Sequence, residues 1–323
     1  DDYLAWKDPC PLTKREIEVL QLRAEGNSNE QIGTKVGVTL KDVEFHLRNG
    51  AEALALPMPE GEDMSLKDGE LREILEFAIK RVKGRVPVIA HVSDAGTSIA
   101  VERAVHAEKA GAAAIASHPP YFWHPKPVMV VEHLARIGAA VKLPFYVCNP
   151  PVESVGTTLS TEIVLQLIER VPNLAGVIDA SLEYVFMEEV VSNGRRLRPG
   201  FQLLAGQDYL VPAAALGGSG AIVPLAGIAP KLVRQVYDLC RQEKYVEARG
   251  MQEDIAQLHH LVKEAGASGL KDGLAGIKFA MGAMGRECGV PRPPVRPLGE
   301  VERGRVEEGL HAMAFLKAEP RGW

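Results

Sequence analysis

The chain has 323 residues, with 37 Lys and Arg against 42 Asp and Glu and a formal net charge of −5. That balance argues against a basic surface spread over the whole chain, but it leaves room for a small nucleic-acid docking module. The chain is 46% hydrophobic, yet no apolar run approaches the roughly 18–20 residues of a membrane helix. Nothing at its start resembles a secretory signal. A cytoplasmic protein without a membrane partner is the expectation. The four cysteines, Cys10, Cys148, Cys240 and Cys288, are far apart and form no C-x-x-C pair, so no disulfide framework, metal site or cofactor is expected from them.

The first fifty residues read as helices. Thr13 can cap the stretch Leu12–Leu20, and Glu16 three residues later completes a capping box. Gly26–Asn29 is a turn, and Ser28 can cap a short helix over Asn29–Val36. A second turn at Gly37–Thr39 leads into a helix over Leu40–Asn49. Three helices, the last two joined by a glycine turn, fit helix-turn-helix geometry over residues 1–50.

From residue 51 to 323 the pattern changes. Short apolar runs alternate with longer amphipathic stretches. The strands predicted are Ala53–Pro57, Val86–Val92, Ala112–Ser117, Leu143–Cys148, Leu174–Asp179, Phe201–Gly206 and Gly220–Leu225. Each is continuously apolar, as expected of a parallel sheet covered on both faces. Helical periodicity occupies Asp68–Val82, Ile99–Ala110, Val128–Ala140 and Thr161–Arg170. Regular βα units of this length predict an α/β fold, a (β/α)8 TIM barrel with its active face at the strand C-terminal ends. A doubly wound open sheet is the alternative, and no G-x-G-x-x-G supports it. Seven strands are counted. The missing one is the first, which exposes two sheet edges unless residues 1–11, with Tyr3, Leu4 and Trp6, or a neighbouring chain fill the gap.

Two resemblances follow from particular strings. Leu12–Leu20, Gly26–Ile32, Gly37–Thr39 and Val43–Asn49 closely resemble the LuxR/NarL-type helix-turn-helix. That resemblance implies double-stranded DNA as a partner, with Thr39, Lys41, His46, Arg48 and Asn49 facing the major groove. Asp42 departs from it, because an acid there repels phosphate, and the family's fourth, dimer-forming helix is absent. Gly50–Leu56 through Glu62, Gly84–Ala90, Ala110–Ala112, Pro119–Tyr121, Leu143-Pro144 with Asn149, Gly176 with Asp179, Leu204–Gly206, Leu216–Gly218 and Lys278–Met281 resemble the dihydrodipicolinate synthase / N-acetylneuraminate lyase family of class I aldolases. The two resemblances overlap in one helix, Leu40–Asn49.

The aldolase resemblance implies an imine between a strand lysine and a 2-oxo acid, a tyrosine proton relay and hydroxyls that hold the carboxylate. The lysine position is Ile178, and without an amine no imine forms. The relay tyrosine becomes Cys148. The paired hydroxyls become Pro59 and Glu60, a second tyrosine becomes Phe122, and the arginine after the fifth strand of the family is matched by Glu153. Lys142, Lys271 and Lys278 are expected to lie away from the barrel mouth. Tyr146, two residues before Cys148, should share its face one pleat deeper. The resemblance therefore implies no catalytic residues of the family type and a sensor barrel, dimeric or tetrameric. The alternative is a lyase with altered chemistry.

Polar groups at strand C-terminal ends are candidates for holding a small polar ligand such as a 2-oxo acid. They are Gly61, Glu62, His91, His118, Tyr121, Asn149, Asp179, Gln207 and Asp208, with Ser93, Asp94 and Cys148 nearby in sequence. The plainer reading is that they cap strands and satisfy buried backbone groups. His91, His118 and Asp179 suit first-row metals, but with no short-spaced motif no metal site is assigned. His259-His260 reads as a solvated helix face.

Overall fold

The computed structural model describes residues 40–151, 156–265, 273–286 and 288–323. The capping boxes, turns and short helix expected over residues 12–39, Thr39 included, lie outside the described residues, as do Glu153 and Lys271. Among the described residues seven parallel strands form one sheet in the order β1 to β7, each next to its sequence neighbour. They are β1 Leu54–Leu56, β2 Val88–His91, β3 Ala114–Ser117, β4 Phe145–Asn149, β5 Leu174–Asp179, β6 Gln202–Ala205 and β7 Gly220–Ala221. Among the described residues β7 and β1 are not paired with each other. Among the described residues no strand stands ahead of β1 to pair it with β7. The edge strands β1 and β7 are only half-buried throughout, whereas β2 and β3 are buried at every position.

Most elements follow their local chemistry. The helices are α1 Leu40–Arg48, α2 Asp68–Val82, α3 Thr97–Ala110, α4 Pro127–Ala139, α5 Thr161–Arg170, α6 Tyr184–Leu197, α7 Leu210–Ala215, α8 Pro230–Arg241, α9 Tyr245–Glu264, α10 Leu274–Ala283 and α11 Glu300–Ala312. Helix α4 opens on Pro127, whose missing N–H costs nothing in a first turn. Helix α5 is capped by Ser160, whose hydroxyl accepts from the Ile163 N–H. Strand β7 is shorter than Gly220–Leu225 because Pro224 starts a 3-10 turn, Pro224–Gly227, that bends the chain off the sheet. Gly176 in β5 has a steric reason: a Cβ there would lie 2.3 Å from the Gln202 carbonyl oxygen of β6.

The continuous apolar runs divide by parity. Val88, Ala90, Ile115, Phe145, Val147, Val177 and Leu203 face outward into the layer under the helices, together with Leu134, Leu167 and Val190. Ile89, Ala114, Ala116, Cys148 and Ile178 face inward, flanked by Ala55, Tyr146, Leu204 and Ile222. The inner cluster is small, so it tolerates polar groups at its upper rim.

Helix α1 packs on both sides. Val43 and Leu47 join the outer layer. Phe45 sits edge-on to Trp323 at 5.6 Å and under the Arg286 guanidinium at 4.3 Å. Arg286 is fully buried and donates to the carbonyls of Gly227, Ile228 and Pro320. It fastens the C-terminal segment against α1.

Candidate functional site

Directly above the inner cluster, where strands end, polar side chains converge. His91 ends β2, His118 follows β3 and Cys148 lies in β4, so alternation turns all three toward the barrel axis. His91 Nε2 lies 3.0 Å from His118 Nδ1. Ser93 Oγ is 2.7 Å from His91 Nε2 and 3.4 Å from His118 Nδ1, and it accepts the His118 backbone N–H at 2.7 Å. On the other side of the ring, His91 Nδ1 meets Asp63 Oδ2 at 3.0 Å. Asp63 opens a 3-10 turn, Asp63–Ser65, in the loop above β1. The donor atoms of His91, His118 and Cys148 all lie within 4.8 Å of one another.

The electrostatics follow from burial. His118 is held down to about 3, because desolvation and the neighbouring His91 disfavour its cation and Asp63 opposes them only in part. Burial would raise the Asp63 carboxyl, but the hydrogen bond and charge of His91, with the charge of His118, outweigh it and the net shift is downward. Burial pushes the Cys148 thiol far up, and Asp63 and Glu60 add to the effect. Glu60 is raised as well, mainly by burial, with Asp63 and Asp208 contributing.

Ile178 is the β5 neighbour of Cys148 in register and is 3% exposed. An aliphatic side chain therefore fills the inward position where the aldolase resemblance expects a lysine. Tyr146 lies one pleat below Cys148 on the same face, and its hydroxyl donates to Gln202 Oε1 at 2.6 Å, at the start of β6. Phe122 adopts φ 83° and is 94% exposed, so it packs against none of the mouth's buried groups. Pro59, Glu60 and Gly61 form a 3-10 turn above β1.

The other expected ligand residues separate into different places. Asn149 and Asp179 do not face the mouth, because both stand one residue beyond an inward position and turn into the strand–helix layer. There Asn149 Nδ2 donates to Asp179 Oδ1 at 2.8 Å, Asn149 Oδ1 accepts the Leu159 N–H at 2.8 Å, and Ser181 Oγ donates to Asp179 Oδ1 at 2.8 Å. The grouping of Asp179 with His91 and His118 is thereby corrected: Cys148 and Asp63 take its place. Glu62 binds the Lys278 ammonium and the Arg292 N–H. Lys278, expected away from the mouth, thus reaches the loop above β1, where it also donates to the Val290 carbonyl at 3.3 Å. Asp208 is buried against His259, which corrects the reading of His259 as solvated; His260 remains exposed. Tyr121 and Gln207 are half-buried.

On α1, Lys41 and Arg48 are exposed. Asn49 Nδ2 donates to the Phe45 carbonyl at 2.8 Å and His46 packs edge-on to Phe45, so both are engaged within the protein. Sequence reasoning did not single out Asp63. Its only signal was its place directly after Gly61-Glu62.

Comparison with known proteins agrees with this architecture. The profile of the dihydrodipicolinate synthetase family matches residues 34–313, and that of the luxR family of bacterial regulatory proteins matches residues 10–55. The two overlap across α1. The chain is 33% identical over 272 residues to 4-hydroxy-tetrahydrodipicolinate synthase of Nitrobacter hamburgensis, covering 83% of this chain and 89% of that protein. It is 31% identical over 278 residues to the same enzyme of Bartonella tribocorum, covering 85% and 91%. A prophage protein of the dihydrodipicolinic acid synthase family from E. coli K12, solved in complex with pyruvate, superposes with a TM-score of 0.78 at 23% identity over 85% of this chain and 91% of that one. No helix among the described residues is long and apolar enough to cross a membrane. By the match over residues 34–313 and these relatives, the chain belongs to the dihydrodipicolinate synthetase family.

Proposed function

We propose that this chain is a non-aldolase member of its family, a barrel that binds a small polar molecule at its mouth and conveys binding to a DNA-contacting N-terminal segment. The observation that carries the first half is Ile178, buried on the inner face beside Cys148. A Schiff base needs an unprotonated amine at the reacting carbon, and catalytic geometry tolerates little displacement. The second half is supported by α1, the helix shared by the two family matches. Val43 and Leu47 pack it onto the barrel while Lys41 and Arg48 stay exposed. A change in barrel packing therefore acts directly on that helix.

Borohydride trapping with pyruvate tests the chemistry. No covalent adduct is expected. An adduct at any lysine removes the non-aldolase reading and favours the alternative, a lyase acting on a 2-oxo acid. Lys278 is the residue to inspect, since its ammonium already sits on Glu62 above β1. Fluorescence anisotropy with a random-sequence duplex tests the DNA contact: binding should weaken steeply with salt, and no binding at low salt would leave the barrel without its regulatory partner.

A further inference from the structure

We propose that His91, His118 and Cys148 form a binding site for one divalent transition-metal ion of the zinc class, oriented by Asp63. The inference goes beyond the regulatory reading and does not depend on it.

The first argument is geometric. Two nitrogens bound to tetrahedral zinc at about 2.0–2.1 Å lie about 3.3 Å apart. His91 Nε2 and His118 Nδ1 are 3.0 Å apart, so they need to open by only a few tenths of an ångström. The thiol of Cys148 completes a set whose atoms all fall within 4.8 Å, which asks for closure of order 1 Å. These three side chains come from β2, the residue after β3, and β4, so rigid neighbouring strands hold them.

The second argument is proton accounting. The Asp63 carboxylate accepts from His91 Nδ1, which fixes the N–H on that atom and leaves a lone pair on Nε2. Ser93 Oγ and His118 Nδ1 both converge on that one lone pair, and one lone pair takes one good donor. A shared cation resolves the conflict: both ring nitrogens offer lone pairs to it, and the Ser93 hydroxyl is released to hydrogen-bond whatever occupies the fourth position. The thiol exchanges its S–H proton for the metal.

The third argument is the outer partner. A carboxylate on the far nitrogen of a ligating histidine is the usual support of a zinc site. Asp63 occupies that place in a chain whose sequence offers no metal-binding motif. Three protein ligands leave one tetrahedral position open, the pattern of sites that act on a bound water or substrate rather than of closed structural zinc.

The experiment uses the full chain, stripped with chelator and titrated with Zn2+ and, separately, Co2+. One ion per chain is expected by elemental analysis, and Co2+ should give a near-ultraviolet thiolate-to-cobalt charge-transfer band. Cys148→Ser should abolish that band, and His118→Ala should lower stoichiometric binding to background, with circular dichroism confirming the fold. Asp63→Asn, which keeps shape and hydrogen bonding, should weaken affinity about 10–100-fold. A folded native chain that binds neither ion overturns the proposal, and so does an ion whose affinity and spectrum are unchanged in Cys148→Ser and Asp63→Asn. Imine trapping and duplex binding are separate readouts, so failure here leaves the regulatory reading standing, and the converse also holds.

Discussion

The two faces of the same strands obey different rules. On the outer face Phe145, Val147, Val177 and Leu203 pack under the helices, and their identities are set by size and apolarity alone. At the top of the inner face His91, His118, Cys148 and Ile178 meet above a thin apolar cluster. Volume does not explain that combination, since an apolar ring of similar size would satisfy the same space without three converging donor atoms. The outer face belongs to stability and the inner rim to chemistry.

Mutations can break that division. Phe145→Ala, in the fully buried outer layer, should cost about 3–5 kcal/mol in denaturant unfolding; a cost below 1 kcal/mol would mean the outer layer is looser than its packing implies. Asn149→Ala should cost about 1–3 kcal/mol, because it leaves the Leu159 N–H and an Asp179 oxygen without their partner. At the inner rim, Ile178→Val should cost only about 0.5–1.5 kcal/mol and leave pyruvate trapping at zero. A large loss there would give Ile178 a packing role comparable to Phe145.

Acid should act on both faces, since His118 at the inner rim is held down as well. His46 and His133 are each lowered from 6.5 to about 4, mainly by desolvation, so both are neutral in the fold. The unfolded chain takes up protons more readily, so this stability is fully present above pH 6.5 and declines as pH falls toward about 4. His133 is held by Thr97 Oγ1 at 2.9 Å. His133→Asn keeps a hydrogen-bonding atom for that hydroxyl and should flatten the loss of unfolding free energy between about pH 7 and pH 5. An unchanged slope would exclude His133 as its source.

Much of the frame was legible. Asp68–Val82, Thr161–Arg170 and Leu174–Asp179 are found as read from periodicity. Their signals are local: a two-faced helical repeat and an apolar run of strand length. The site was legible only as an inventory. A run such as Leu174–Asp179 is apolar at nearly every position, so it does not reveal which parity faces inward, and Asp179 was placed in the mouth when it belongs to the layer outside. Asp63 gave no signal beyond its place after Gly61-Glu62, because a single acid in a loop is ordinary and its meaning depends on the His91 ring 28 positions later.

Local patterning alone determined the βα order, the seven strands from β1 to β7 among the described residues, the helical character of Leu40–Arg48 and the aliphatic residue at 178, since each depends on spacing or identity within a few neighbours. Only the tertiary structure decided which residues meet. His91 and His118 are 27 positions apart, and successive βα units bring them to 3.0 Å because parallel strands deliver their ends to one rim. The same arrangement of strands turned Asn149 and Asp179 outward, drew Lys278 onto Glu62, and packed Phe45 of α1 beneath a buried arginine.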